Sequence, residues 1–127
     1  MWWSLSLDAA LLVVLQPFRP VLVLGQSMFP TLQNFQLVIA RPLDHPAKRG
    51  DVVVCEYAED QIVKRVAGVD RDTDLPGLPY PFRVPSNHVY VLGDNSAVSF
   101  DSRYFGPLPN KDVKMLVVYP DLTKSQG

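Results

Sequence analysis

Cysteine is nearly absent: Cys55 is the one thiol in 127 residues, so no intrachain disulfide can form and the fold must rest on its core. It sits in Val52-Val53-Val54-Cys55, where it reads as a small buried hydrophobe. Histidine is scarce too. His45 and His88 stand at no zinc-ligand spacing, which argues against a metal centre, and no cofactor is called for. There is no lysine or arginine block, and twelve basic residues against thirteen acidic ones give a formal charge of −1. Nucleic-acid binding therefore has no electrostatic footprint. An uninterrupted apolar run of membrane-spanning length is also missing. Met1 to Phe18 comes close, but Asp8 falls near its middle. A span needs about 20 apolar residues, and a central charge costs roughly 2.5–3.5 kcal/mol on insertion scales.

That amino-terminal stretch does not read as a secretory signal peptide, because no basic residue precedes the apolar run and no small-x-small site follows. Trp2 and Trp3 suit an interfacial belt, and Pro17 with Pro20 would end a helix at a membrane surface. Residues 1–20 are expected to form a short helix, either a membrane anchor or a short amphipathic or core helix. With few flanking basic residues, its orientation is unreadable.

Hydrophobic residues make up 47% of the chain and charged ones 20%, enough for one domain with a modest core. Twelve prolines argue against long helices beyond residue 20. Short β-prone runs between proline and glycine punctuation predict strands near Val21–Leu24, Gln36–Ala40, Asp51–Tyr57, Gln61–Ala67, His88–Leu92 and Val113–Tyr119. Glu59-Asp60 is the expected tight turn of a hairpin. Asp70 to Ser86 reads as a long irregular connection. The expectation is a mainly-β fold, a folded sheet or partly closed barrel of antiparallel strands, with one domain over residues 21–121 and a frayed tail over 122–127.

Chemistry concentrates in Gly25-Gln26-Ser27-Met28-Phe29-Pro30-Thr31-Leu32. Gly25 permits a bend, and Pro30 prevents the preceding apolar run from continuing as an interior strand. Ser27 should thus sit on a turn with its hydroxyl presented outward. A serine hydroxyl is a poor nucleophile until a base takes its proton. Lys64 can be that base only when neutral, which burial promotes by disfavouring the charged form. Strand periodicity puts Ile62, Lys64 and Val66 on one face and Val63, Arg65 and Ala67 on the other. Lys64 then lies among apolar neighbours, while Arg65 points elsewhere and can stay solvated. The plain alternative is a surface lysine whose stem covers apolar residues. His88 competes as a base but reads as strand entry, and His45 as a solvated loop residue.

With these stretches in hand, the chain resembles type I signal peptidases, membrane-bound serine proteases with a Ser–Lys dyad. The matching segments are Gly25 to Leu32, Arg49-Gly50-Asp51-Val52-Val53-Val54, Val63-Lys64-Arg65-Val66-Ala67-Gly68, and Gly93-Asp94-Asn95 followed by Ser99-Phe100-Asp101-Ser102-Arg103. They occur in family order. The resemblance implies Ser27 as acylating nucleophile, Lys64 as general base, and Ser99 as a hydroxyl orienting the lysine amine. It also implies an Asp101–Arg103 ion pair bracing the loop that holds Ser99. Gly25 stands where some members place an oxyanion-binding serine, leaving the oxyanion to backbone N–H groups such as that of Ser27. Ser96-Ala97-Val98 departs from the family's Arg-Asp-Asn. Asp94 and Asn95 look structural.

By resemblance, the substrate is a secreted precursor with small residues at the first and third positions before the cut, laid beside a sheet edge. The protein would be membrane-anchored and in contact with lipid, with its catalytic domain on the extracytoplasmic side. Met28 and Phe29, beside the nucleophile, either dip toward the lipid surface or fill the core. Two rival readings are a self-cleaving repressor-type Ser–Lys domain and a catalytically silent, membrane-tethered peptide-binding scaffold.

Overall fold

The computed structural model describes residues 17–122. Their framework is one antiparallel sheet of seven strands. These are β1 (Arg19–Leu22), β2 (Leu37–Pro42), β3 (Val52–Tyr57), β4 (Asp60–Val69), β5 (His88–Leu92), β6 (Leu108–Pro109) and β7 (Val113–Tyr119), in the order β1-β2-β7-β3-β4-β5-β6. β1 and β6 lie at opposite ends and do not pair with each other, so the sheet is open. One turn of helix, α1 (Ser102–Phe105), packs beside β5. The mainly-β expectation holds. The expected amino-terminal helix falls largely outside the described residues, among which no helix is long and apolar enough to cross a membrane.

Successive strand residues face opposite sides of a sheet, yet Val52, Val53, Val54 and Cys55 are all buried. The sheet is covered on both faces at β3. On one side Val52 and Val54 meet Val38, Ala40 and Val117, together with Met28 and Leu32 from the loop after β1. On the other, Val53 and Cys55 meet Val66, Val89, Val91, Leu108 and Val113. Each large apolar side chain removed from water contributes about 1.5–3 kcal/mol, so β3 is anchored from both sides. A third, smaller cluster joins Ala67 and Tyr90 to Leu75 and Val84, which ties the irregular connection down onto the sheet.

Several elements differ from expectation. β1 begins at Arg19 rather than Val21, inside the stretch read as helical, and its pairing with β2 runs Arg19↔Ala40 to Leu22↔Leu37. The hairpin turn is Ala58-Glu59, because Tyr57 pairs with Asp60. Both turn residues have positive φ, 52° and 70°, the backbone that matches strand twist in a two-residue loop. Neither is a residue type that advertises such a turn. β4 is longer than predicted and carries a register shift between Val66 and Gly68, which moves Ala67 off simple alternation. Leu122, read as the start of a frayed tail, is buried.

Candidate active site

Beyond β1 the chain stays paired for one more step: the Val23 N–H donates to the Gln36 carbonyl (2.8 Å) and the Phe35 N–H to the Val23 carbonyl (2.7 Å). It then turns at Gly25, whose φ of +92° lies where glycine carries no steric penalty. The Gly25 N–H donates to Asn34 Oδ1 at 2.7 Å. The next residues close on themselves through Phe29 N–H to the Gln26 carbonyl and Leu32 N–H to the Met28 carbonyl. Met28 and Leu32 are buried in the core, whereas Phe29 is exposed. Of the pair considered for lipid contact, Met28 is thus a core filler and Phe29 alone reaches the surface. The turn is pinned by its apolar residues and presents Ser27 between them.

Ser27 Oγ lies 2.8 Å from Lys64 Nζ, across a sequence separation of 37 residues. Lys64 is only 5% exposed. Its pKa lies below the ordinary lysine value, mainly because burial disfavours the ammonium; the Asp101 charge opposes this and the Arg103 charge assists it. The amine is also 3.3 Å from Ser99 Oγ, and the Ser99 hydroxyl donates to Asp101 Oδ2 at 2.7 Å. Because that hydroxyl proton is committed to Asp101, Ser99 faces the amine as an acceptor. A neutral amine there donates a hydrogen to Ser99 and keeps its lone pair for the Ser27 hydroxyl.

Asp101 is fully buried and collects donors at both oxygens: Arg103 Nε at 2.9 Å and Nη2 at 3.0 Å, Gly93 N–H at 2.9 Å, and Ser99. Burial alone would raise its pKa, but hydrogen bonds from Arg103, Gly93 and Ser99 outweigh this and hold it below the usual carboxylate value. Gly93 allows the close approach. A Cβ there would overlap both Ser99 Oγ and the Ser27 carbonyl. The structure thus brings Ser27, Lys64, Ser99, Asp101 and Arg103 into one connected network. Gly25 shapes the turn without joining that network. His88 and His45 lie elsewhere, bonded to the Ser86 and Pro46 carbonyls.

Arg65 corrects the sequence reading. Its side chain is only 11% exposed and forms a two-pronged ion pair with Asp94, Nε to Oδ1 and Nη2 to Oδ2, both 2.9 Å. Nη1 donates to the Gly50 carbonyl (2.8 Å) and the Leu122 carbonyl (3.0 Å). Asp94 in turn accepts from Thr31 Oγ1, on the nucleophile turn. Next to it, Asn95 donates its backbone N–H to the Ser27 carbonyl (2.8 Å) and its side-chain amide to the Gln26 carbonyl (3.1 Å). Arg65, Asp94, Asn95 and Thr31 therefore clamp the Ser27 turn to the strand that carries Lys64. The Lys64-Arg65 and Asp94-Asn95 dipeptides were visible in the sequence, but nothing local told which carboxylate Arg65 would meet.

Ser27 and Lys64 lie in a groove of about 230 Å³ lined by Val21 to Leu24 on one side and Gln61 to Lys64 on the other. Both walls are unpaired strand edges among the described residues: β1 pairs only with β2, and β4 pairs with β5 only from Arg65 onward. No grouping of potential metal ligands occurs among the described residues. A model of the family described as signal peptidase, peptidase S26, matches residues 2–73 and 70–119. The chain belongs to this family. It is 40% identical over 100 residues to mitochondrial inner membrane protease subunit 1 of Mus musculus, covering 70% of this chain and 60% of that protein. The subunit 1 protein of Schizosaccharomyces pombe is 34% identical over 112 residues, covering 80% of this chain and 71% of its own length. Signal peptidase I of Bacillus caldolyticus is 29% identical over 144 residues, covering 82% and 79%. The chain spans about 60% of the length of its mammalian relatives.

Proposed function

We propose that this protein is a serine endopeptidase that removes amino-terminal signal segments from precursor proteins, with Ser27 as nucleophile and Lys64 as general base. The observation that carries the reading is the 2.8 Å approach of a buried, pKa-lowered amine to a serine hydroxyl inside a groove walled by two free strand edges. Family membership supports it. A precursor lies extended in the groove, bonding to one or both edges as an added strand, and the limited groove volume favours small residues near the cut. Neutral Lys64 accepts the Ser27 proton as Oγ attacks the scissile carbonyl. The Ser27 N–H, which has no acceptor among the described residues, is available to the developing oxyanion. Lys64 returns its proton to the leaving amine, an acyl-enzyme remains, and water hydrolyses it with the lysine again as base. Ser99 orients the amine, and Asp101 with Arg103 holds Ser99. The proposed steps require no metal or cofactor.

The same reading places the chain on a membrane, with its catalytic domain on the extracytoplasmic side. Residues 17–40 contain one charged residue, Arg19, and expose Phe18, Leu22, Leu24, Phe29, Phe35 and Leu37 around the groove's β1 wall. An apolar corner of this kind is rare on a freely soluble surface and suits lipid, which would set the groove beside a precursor emerging from the bilayer. Incubation of the full chain with a peptide bearing Ala-x-Ala before the cut, read by mass spectrometry, should yield one cleavage after the second alanine and none with Ser27→Ala. An intact peptide under conditions where the chain is folded would refute the assignment.

A further inference from the structure

Gly93, which packs against the Ser27 carbonyl, also lines a second and larger cavity. It measures about 480 Å³ and is lined by Arg49, Arg65 and Arg103, by Asp94, and by an apolar floor of Val66, Ala67, Pro76 and Leu92. Sites for small molecules typically measure about 300–1,000 Å³ and combine an apolar wall with a few convergent polar groups. This one draws its cations from three separate segments: the loop before β3, strand β4 and helix α1.

The acidic groups nearby are already engaged. Asp94 is held by Arg65, and Asp101 by Arg103, Gly93 and Ser99. Asp72 stands a loose 3.8 Å from Arg49, and the Asp74 carbonyl accepts from Arg49 Nη2. By contrast, Nη1 of Arg103 and Nη1 of Arg49 donate to no acceptor among the described residues. Arg49 is 42% exposed, so its head can swing toward an incoming acceptor. Guanidinium N–H groups are matched by carboxylate or phosphate oxygens.

We infer that this cavity is a binding site for a small organic oxyanion, a carboxylate or phosphate on a short apolar body, with Arg49 and Arg103 taking the oxygens and the Val66–Leu92 floor taking the body. The site stands independently of the role given to Ser27. Arg65 and Asp94, which line it, also belong to the clamp on the nucleophile turn, so an occupant would touch that clamp.

The test is an amide chemical-shift titration of the full chain with hexanoate, hexyl phosphate and, as the neutral match, hexan-1-ol. Saturable shifts at Gly77, Gly93 and Ser96 are expected with at least one anion, at least about tenfold tighter than with the alcohol, as the loss of one charge-assisted hydrogen bond implies. Whichever anion saturates first names the headgroup. Arg49→Gln, at an exposed position, should weaken the anion by about tenfold and leave the alcohol unchanged. Ser96→Trp, at the rim, should block both. Unsaturable or scattered shifts, equal affinity for alcohol and anion, or an unaltered anion affinity in Arg49→Gln would each overturn the inference.

Discussion

Lys64 and Arg65 are neighbours on β4 and both are mostly buried, yet the sheet gives them opposite fates. Arg65 meets a carboxylate in a two-pronged pair and donates through Nη1 to two backbone carbonyls. Lys64 meets two hydroxyls at 2.8 and 3.3 Å, and the nearest carboxylate, Asp101, is neutralised by Arg103. Burial with a full counter-charge keeps a cation charged and makes it a structural tie. Burial with hydroxyls alone favours its neutral form and makes it a base. One residue of register separates a clamp from the proposed base.

The sharpest way to break this contrast is to exchange the chemistry. Lys64→Arg installs a cation that does not deprotonate, and peptide cleavage should fall by about 10²–10⁴-fold. Lys64→Met should abolish cleavage yet raise the melting temperature at neutral pH. The sign follows from the lowered pKa: the unfolded chain binds the lysine proton more tightly, so folding is penalised fully below the folded pKa and not at all above the unfolded value. The gain from Lys64→Met should therefore shrink as pH rises through the alkaline range.

On the other side of the strand, Asp94→Ala removes the carboxylate of the two-pronged pair from mostly buried Arg65. It should destabilise the fold in denaturant unfolding, and a double change with Arg65→Met should cost less than the sum of the two singles. A smaller effect is expected from Arg103→Ala. It removes a positive charge that helps lower the Lys64 pKa and exposes the amine to an unneutralised Asp101. The rising limb of cleavage rate against pH should move to higher pH, with the loss greater at neutral than at alkaline pH. Smallest is Thr31→Val, which removes one hydroxyl bond to Asp94 and should cost about 1 kcal/mol.

How much of this was legible beforehand follows the same divide. The Ser27 turn was readable because Gly25 and Pro30 act locally, and the apolar face of Lys64 because alternation is a property of its own strand. The Arg65–Asp94 pair joins residues 29 apart in sequence, and nothing local distinguishes a paired arginine from a solvated one. The Ala58-Glu59 turn escaped because its positive φ values are imposed by the flanking strands, not invited by the residues. β6, with two residues, carries no periodicity to detect. Leu122 was read as tail because the cluster that buries it is assembled from distant strands.

The most direct measurement is the titration of Lys64 itself, by the ¹³Cε shift of labelled lysine in the folded chain with Lys64→Met as the assignment control. Lys64 should lose its proton below the ordinary value of about 10.4, and cleavage rate should rise with the same midpoint. A Lys64 that titrates at or above the ordinary value would contradict the assignment of this amine as the base.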